Sequence, residues 1–344
     1  MTEFAVAPNG HRRRALLLGS AGLALSAPAL LRPRDAAAQG ATTQTQQAQT
    51  GAATAQAPGF YRFKLGSFIV TTVNDGSTTM PVAGFVRNAP LKEVQRVLAE
   101  SFLPPDTHRI VFTATVVDTG RQLIVFDTGM GAQPPGSTTG RMMENLRASG
   151  IDPARVTHVV ISHFHGDHIN GLITGQGAAA YPNAEVVVPE AEWKFWTDAS
   201  NESRTPERQR GNFANTQRRF APYNGKVRQV ADGAEVVPGI RAVAAPGHTP
   251  GHTCFHIADG DAQMMYLADT TNRPELMVRR PDFHIIFDFD PVQAEATRRR
   301  MLDRAAAERM RATGFHFPFP ATGYIAKEGN GYRFVPADWS NSGL

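Results

Sequence analysis

Residues 161–171 read Ile161-Ser162-His163-Phe164-His165-Gly166-Asp167-His168-Ile169-Asn170-Gly171, which sets three imidazoles and a carboxylate within six residues directly after the apolar run Val159-Val160-Ile161. Neutral imidazole and carboxylate suit zinc and its first-row neighbours, and a strand that ends in a loop can hold them at fixed angles. The stretch therefore reads as a metal site hung from the C-terminal end of a strand over residues 157–162. A single histidine in a polar turn carries no such meaning; four donors in one short loop do. His158 lies inside the strand and is read as an ordinary strand residue.

Further donors sit in comparable places along the chain. Residues 246–253, Pro246-Gly247-His248-Thr249-Pro250-Gly251-His252-Thr253, form a stiff turn with two glycines and two prolines. A side chain there has little conformational freedom to lose on being aimed at a metal. His248 is taken as the ligand, and His252 as its neighbour that supports the turn through hydrogen bonds. Two strands end in carboxylates, Asp127-Thr128-Gly129 and Asp269-Thr270-Thr271. Asp127 is equally readable as an Asx turn that ends its strand. His316, in the apolar stretch Phe315-His316-Phe317-Pro318-Phe319-Pro320, is by itself as well read as a core residue.

Alternation of apolar residues predicts strands over 60–65, 68–73, 110–117, 122–126, 157–162, 184–188, 227–230, 234–237, 240–244 and 264–268, with turns at Asn74-Asp75-Gly76 and Asp118-Thr119-Gly120-Arg121. Helical periodicity covers 91–102, 141–149, 190–197 and 212–222, and residues 298–311 read as a basic amphipathic helix with a solvated outer face. Strands alternating with helices, with the donors at strand ends, predict an α/β fold. Two sheets face each other, helices lie outside them as a four-layer αβ/βα sandwich, and the site runs along one edge.

The N-terminus has a different character. Arg12-Arg13-Arg14 precede an uncharged apolar stretch over 15–31, followed by Ala36-Ala37-Ala38 where a signal peptidase could cut. Residues 1–38 read as a twin-arginine signal peptide, cleaved near Ala38, which implies a periplasmic or secreted protein with no stable membrane anchor after cleavage. Residues 39–58 hold Ala, Thr, Gln and Gly without a charge and read as a disordered linker, so the folded domain is 59–344. Of the formal charge of +4, residues 1–38 supply three, from five arginines against Glu3 and Asp35, leaving +1 for the rest. That balance gives no argument for a nucleic-acid partner. Cys254 stands alone, so no disulfide forms within the chain.

Taken together, these motifs resemble the metallo-β-lactamase superfamily: His163, His165, Asp167 and His168 form its HxHxDH signature, followed by His248, Asp269 and His316 in the family's order, with Asp127 before them. Gly59-Phe60-Tyr61-Arg62, the turn at 247–253 and Gly331-Tyr332-Arg333-Phe334-Val335-Pro336 are similar to the secreted methyl parathion hydrolase-like branch. The resemblance implies that His163, His165 and His248 hold one metal and Asp167, His168 and His316 the other. Asp269 would bridge them, and Asp127 would orient a ligating histidine. It also places Trp196 and Phe213 where two pocket aromatics of that branch stand. The loop 130–139 departs from the branch, having Pro134-Pro135 and no aromatic, and Tyr324 replaces a different polar residue without an assignable role.

The chemistry expected of such a site is hydrolysis. Two divalent ions lower the pKa of a shared water from about 15.7 towards neutrality, giving a hydroxide nucleophile, and stabilise the oxyanion formed on attack. Asp167 is the candidate catalytic group, orienting the nucleophile or carrying a proton. Zinc is the first expectation; iron, cobalt and manganese suit the same ligands. The expected substrates are small and uncharged: an aryl ester or organophosphate triester first, an acyl-homoserine lactone or other lactone next, a β-lactam third. A redox member of the fold would use iron and carry a flavin-binding domain. The sequence leaves open whether the chain forms a homodimer.

Overall fold

The structure, a computed structural model, describes residues 56–340. The expected signal peptide, its cleavage site and residues 39–55 of the linker lie outside the described residues.

Strand alternation builds the layers. The first sheet contains β1 (Phe60–Leu65), β2 (Phe68–Pro81), β3 (Thr107–Asp118), β4 (Leu123–Phe126), β5 (His158–Val160), β6 (Glu185–Pro189) and β7 (Val227–Val230), in that spatial order. The first four strands pair antiparallel, and β4 to β7 pair parallel. The second sheet holds β8 (Glu235–Val237), β9 (Ile240–Ala244), β10 (Thr253–Asp259), β11 (Ala262–Tyr266), β12 (Arg311–Thr313), β13 (Thr322–Glu328) and β14 (Gly331–Pro336). Its strands are antiparallel except for the parallel pair β11 and β12.

Because neighbouring strand residues point to opposite faces, one continuous apolar run feeds two cores. Val117, Ile124, Phe126, Val160 and Val187 meet Phe255, Ile257, Met264 and Tyr266 between the sheets. Val116, Val125, Val159, Val186 and Val188 face outward, against α2 (Met142–Ala148), α4 (Glu190–Thr197) and α5 (Glu207–Phe220). On the far side Cys254 and Met265 pack under α6 (Pro291–Ala307), which is started by Pro291 at its first position and by Asp290 accepting from Val292 N and Gln293 N. α1 (Leu91–Glu100) covers a separate cluster formed with Leu276, Met277, Phe283 and Ile285. The four-layer order expected from sequence is present. No helix among the described residues is long and apolar enough to cross a membrane.

Several local expectations are corrected. Asn74-Asp75-Gly76 is not a turn: β2 runs through it with a bulge, Gly76 at φ +112°, and the Asp75 carboxylate accepts Met130 N at 2.9 Å and Met142 N at 2.8 Å. α5 starts at Glu207, five residues before the expected 212, because the polar 207–211 segment continues the helix whose apolar face carries Phe213 and Phe220. α6 ends at Ala307, and Arg311 belongs to β12. Its Arg298 is not on a solvated face. It is fully buried and donates to the carbonyls of Thr270 (2.9 Å), Pro281 (2.6 Å) and Phe283 (3.0 Å) and to Asp288 Oδ2 (3.2 Å). His316 lies in a turn that follows β12, not in a strand.

Candidate metal centre

Every donor singled out in the sequence sits just beyond the C-terminal end of a strand. Asp127 follows β4, His163 to His168 follow β5 and include the single helical turn α3 (Gly166–Ile169), His248 follows β9, Asp269 follows β11, and His316 follows β12. The parallel pairs β4–β5 and β11–β12 bring these ends to one edge of the sandwich.

The donors form two groups, His163, His165 and His248 in one and Asp167, His168, Asp269 and His316 in the other, with the atoms of each group within 4.8 Å of one another. In the first, His165 Nδ1 lies 3.0 Å from both His163 Nε2 and His248 Nε2. In the second, His168 Nε2 lies 3.4 Å from Asp167 Oδ2 and 3.2 Å from Asp269 Oδ1, and His316 Nε2 lies 3.5 Å from Asp167 Oδ2. Asp269 Oδ2 reaches both groups, 2.9 Å from His316 Nε2 and 3.3 Å from His248 Nε2.

The opposite ring nitrogens are held by the protein. His168 Nδ1 lies 2.8 Å from Asp127 Oδ2, His248 Nδ1 lies 2.9 Å from Asp288 Oδ1, His163 Nδ1 lies 3.0 Å from Ser162 Oγ, and His316 Nδ1 lies 2.9 Å from the Val111 carbonyl oxygen. Such partners fix ring orientation and tautomer. Asp127 is more than a strand terminator: it also accepts Ser162 N (2.8 Å), Ser162 Oγ (2.7 Å) and the Tyr266 hydroxyl (2.7 Å). These bonds hold it at φ +58°, a left-handed conformation that costs an L-residue about 1–2 kcal/mol. His252 accepts the Asp269 backbone N–H on Nε2 at 3.1 Å, and its Nδ1 lies 3.0 Å from the Ala245 carbonyl oxygen.

The electrostatics divide the donors. Burial and neighbouring imidazoles push His163 far down and His165 to about 3, so both rings are neutral. Burial also opposes charge on His168, His248 and His316, but the surrounding carboxylates outweigh it: His168 and His316 are raised, and His248 reaches about 9 through Asp269 and Asp288. Burial raises Asp167 and Asp269 less than the histidines lower them, leaving Asp167 at about 2 and Asp269 well below the usual carboxylate range. Here protons neutralise buried carboxylates, a task a divalent cation also performs.

The residues fit such ions. His168 Nε2 and Asp269 Oδ1, 3.2 Å apart, are buried and make no hydrogen bond, and the ring nitrogens of His163 and His248 both stand 3.0 Å from His165 Nδ1. An all-histidine group beside a carboxylate–histidine group is a donor set for zinc or a neighbouring first-row metal.

Two carboxylates central to the site have no motif around them. Glu192, in α4, accepts Phe164 N (2.9 Å) and Trp196 Nε1 (2.7 Å) on one oxygen and Thr249 Oγ1 (2.9 Å) and Gly251 N (2.7 Å) on the other. A Cβ on Gly251 would stand 2.0 Å from Glu192 N, so only glycine allows this approach. Asp288 links His248 to the buried Arg298.

A cavity of about 410 Å³ opens onto the donors, bordered by His165, Asp167, His248, Asp269 and His316. Its apolar wall includes Met80, Ile110, Phe112, Met130 and Phe287, and α5 adds Arg208, Gln209 and Asn212. Trp196 and Phe213 do not line it, which corrects the expectation for both. They are 0% and 5% exposed, their rings are 4.9 Å apart, and the Trp196 indole is turned inward to Glu192. From the loop 130–139, Met130 reaches the wall, and Tyr324 is 42% exposed on β13 and does not border the cavity.

Comparison with known proteins agrees with this geometry. The family model of the metallo-beta-lactamase superfamily matches residues 113–310, more than half of the chain. An atrochrysone carboxyl ACP thioesterase of Passalora fulva is 30% identical over 156 residues, 45% of this chain but only 36% of the thioesterase, so the chain spans about a third of that relative's length. Among solved structures, AidC, a dizinc quorum-quenching lactonase in complex with a product N-hexanoyl-L-homoserine, is 27% identical and superposes with a TM-score of 0.77 over 82% of this chain and 99% of that one. The hydrolase AbOPH of the beta-lactamase superfamily is 27% identical, with a TM-score of 0.78 over 83% of this chain and 100% of that one.

Proposed function

We propose that this chain, which belongs to the metallo-β-lactamase superfamily, is a binuclear metal-dependent hydrolase of uncharged ester-like substrates, lactones first among them. The observation that carries the reading is Asp269, whose Oδ2 approaches His248 of one donor group at 3.3 Å and His316 of the other at 2.9 Å, as a carboxylate shared by two ions must.

Divalent ions held by His163, His165 and His248 and by Asp167, His168 and His316 would supply Lewis acidity and a water acidified to near neutrality. The rest of the work falls to the chain itself. Asp167 borders the cavity with its carboxylate ionised, so it can accept a hydrogen bond from an attacking water and orient it. Asp127, Asp288 and Ser162 hold the imidazoles in one tautomer while charge changes in front of them. Met80, Ile110, Phe112 and Phe287 exclude water from one side and receive an apolar acyl or aryl group.

The lactone reading leads because a 27%-identical structure matched over 99% of its length is a lactonase. A second reading, an aryl ester or organophosphate triester as in the methyl parathion hydrolase-like branch, is favoured by the Phe112 and Phe287 rings on the cavity wall. Zinc is the proposed metal, and export to the periplasm after signal cleavage the proposed location.

The test is a substrate panel with stripped and zinc-reconstituted protein: an acyl lactone, an aryl acetate, a paraoxon-type triester and nitrocefin. Metal-dependent turnover led by the lactone is expected. Turnover of none of the four by the reconstituted protein would contradict the proposal.

A further inference from the structure

We infer that a second cavity, at the end of the first sheet opposite the metal donors, binds a small amphiphilic carboxylate such as a medium-chain fatty acid; the inference stands apart from the hydrolase reading. The cavity measures about 430 Å³ and is bordered by Asp118 at the end of β3, Leu123 at the start of β4 and Thr157 just before β5. The metal donors follow the other ends of β4 and β5, and the two cavities have no lining residue in common.

Its charges do not balance. Arg62, Arg121 and Arg155 border the cavity together with two carboxylates, Asp118 and Asp152. Each carboxylate is engaged in its own turn: Asp118 Oδ1 accepts Gly120 N at 2.8 Å, and Asp152 Oδ1 accepts Ala154 N at 2.9 Å. Arg62, the last residue of the motif Gly59-Phe60-Tyr61-Arg62, is half-buried and held by neutral acceptors. Its Nε donates to Thr71 Oγ1 at 3.0 Å and its Nη2 to the Ser149 carbonyl oxygen at 2.6 Å. It forms no ion pair with any described carboxylate, and the rest of its five N–H donors stay free. Arg121 and Arg155 are exposed, and their side chains make no hydrogen bond or ion pair with any described group. One positive charge is thus left over, which a monoanion neutralises, and a guanidinium fork matches a carboxylate through two parallel hydrogen bonds. The walls define the rest of the ligand. Ile69, Val116, Leu123 and Ile151 give the cavity an apolar lining. An inorganic anion leaves that lining wet, and a neutral lipid leaves the arginines unpaired; a carboxylate with an alkyl tail matches both.

The test is hydrogen–deuterium exchange of the purified full chain with three probes: octanoate, which has both parts, acetate, which lacks the tail, and 1-octanol, which lacks the charge. Octanoate is expected to slow exchange in segments 118–123 and 149–157 at concentrations where the other two do not. The double substitution Arg121→Ala/Arg155→Ala, at exposed positions, is expected to weaken octanoate binding by about 10-fold or more, with exchange of the ligand-free chain unchanged. No protection by octanoate, equal protection by octanol or by acetate, protection confined to the stretch 161–171, or undiminished octanoate binding in the double variant would overturn the inference. Each of these outcomes leaves the hydrolase reading intact.

Discussion

Glu192 accepts the backbone N–H of Gly251 at 2.7 Å, tying α4 to the turn that presents His248. Its other oxygen takes the N–H of Phe164 at 2.9 Å, so one buried carboxylate holds both histidine loops. Burial raises its pKa, while four donors favour its charged form. Glu192→Gln places an NH₂ group against two of those donors. A loss of about 2–4 kcal/mol in urea unfolding is expected, together with weaker metal retention. Unchanged stability would show that Glu192 does not organise the loops.

Asp127 and Asp269 stand in different places relative to the two donor groups. Asp127→Asn disturbs the partner of His168 Nδ1 and is expected to weaken metal affinity about 10- to 100-fold without abolishing it. Asp269→Ala removes the only residue whose carboxylate approaches both donor groups within 3.3 Å among the described residues, and both ions should be lost. Competition with a chromophoric chelator separates the two outcomes; equal affinities in the two variants would contradict the assignment.

The core position of Trp196 makes a prediction opposite to that of a pocket residue. Trp196→Phe loses the hydrogen bond to Glu192 and part of the packing on Phe213. A fall of about 2–3 kcal/mol in stability is expected, with KM unchanged. Phe287→Ala, on the cavity wall, should instead raise KM. A reversal of these two effects would return the tryptophan to the pocket.

His108 gives a pH signature outside the donor set, with Arg273 and His316 adding to the effect of burial. Burial lowers its pKa to about 4, and its Nε2 lies 3.0 Å from Asn272 Oδ1. The unfolded chain protonates this ring near 6.5 and the folded one only near 4, so the unfolded state binds more protons between these values. Stability is full above 6.5 and is lost as pH falls through this window, by about 2–3 kcal/mol for this group. His108→Gln keeps the amide contact and should flatten the slope between pH 7 and 4.5 in metal-loaded protein; an identical slope in both proteins would refute this account.

Legibility followed sequence distance. His163, His165, Asp167 and His168 share one loop, so their density declared the site, and Val159-Val160 predicted the strand beneath it. Alternation through Val116-Val117 and Val186-Val187-Val188 was enough to give two cores and hence four layers. Glu192 was not legible, because its partners lie 28 and 59 residues away and an acid in an amphipathic helix reads as solvated. Asp288 was not legible because its histidine partner lies 40 residues away, and Arg298, only ten residues from Asp288, because a charged residue in an amphipathic helix reads as solvated. Trp196 and Phe213 show the limit of carrying a position over by likeness, since a large aromatic serves a core or a pocket equally well and its rotamer decides.

On the proposed reading, Asp269 joins two metal sites into one hydrolytic centre. The most direct measurement is the metal content of the purified chain by elemental analysis, beside that of Asp269→Ala, with lactone hydrolysis followed on the same samples. Two divalent ions per wild-type chain are expected, few or none in the variant, and turnover that follows the ions through stripping and reloading. Equal metal content in the two proteins, or hydrolysis that survives stripping, would contradict it.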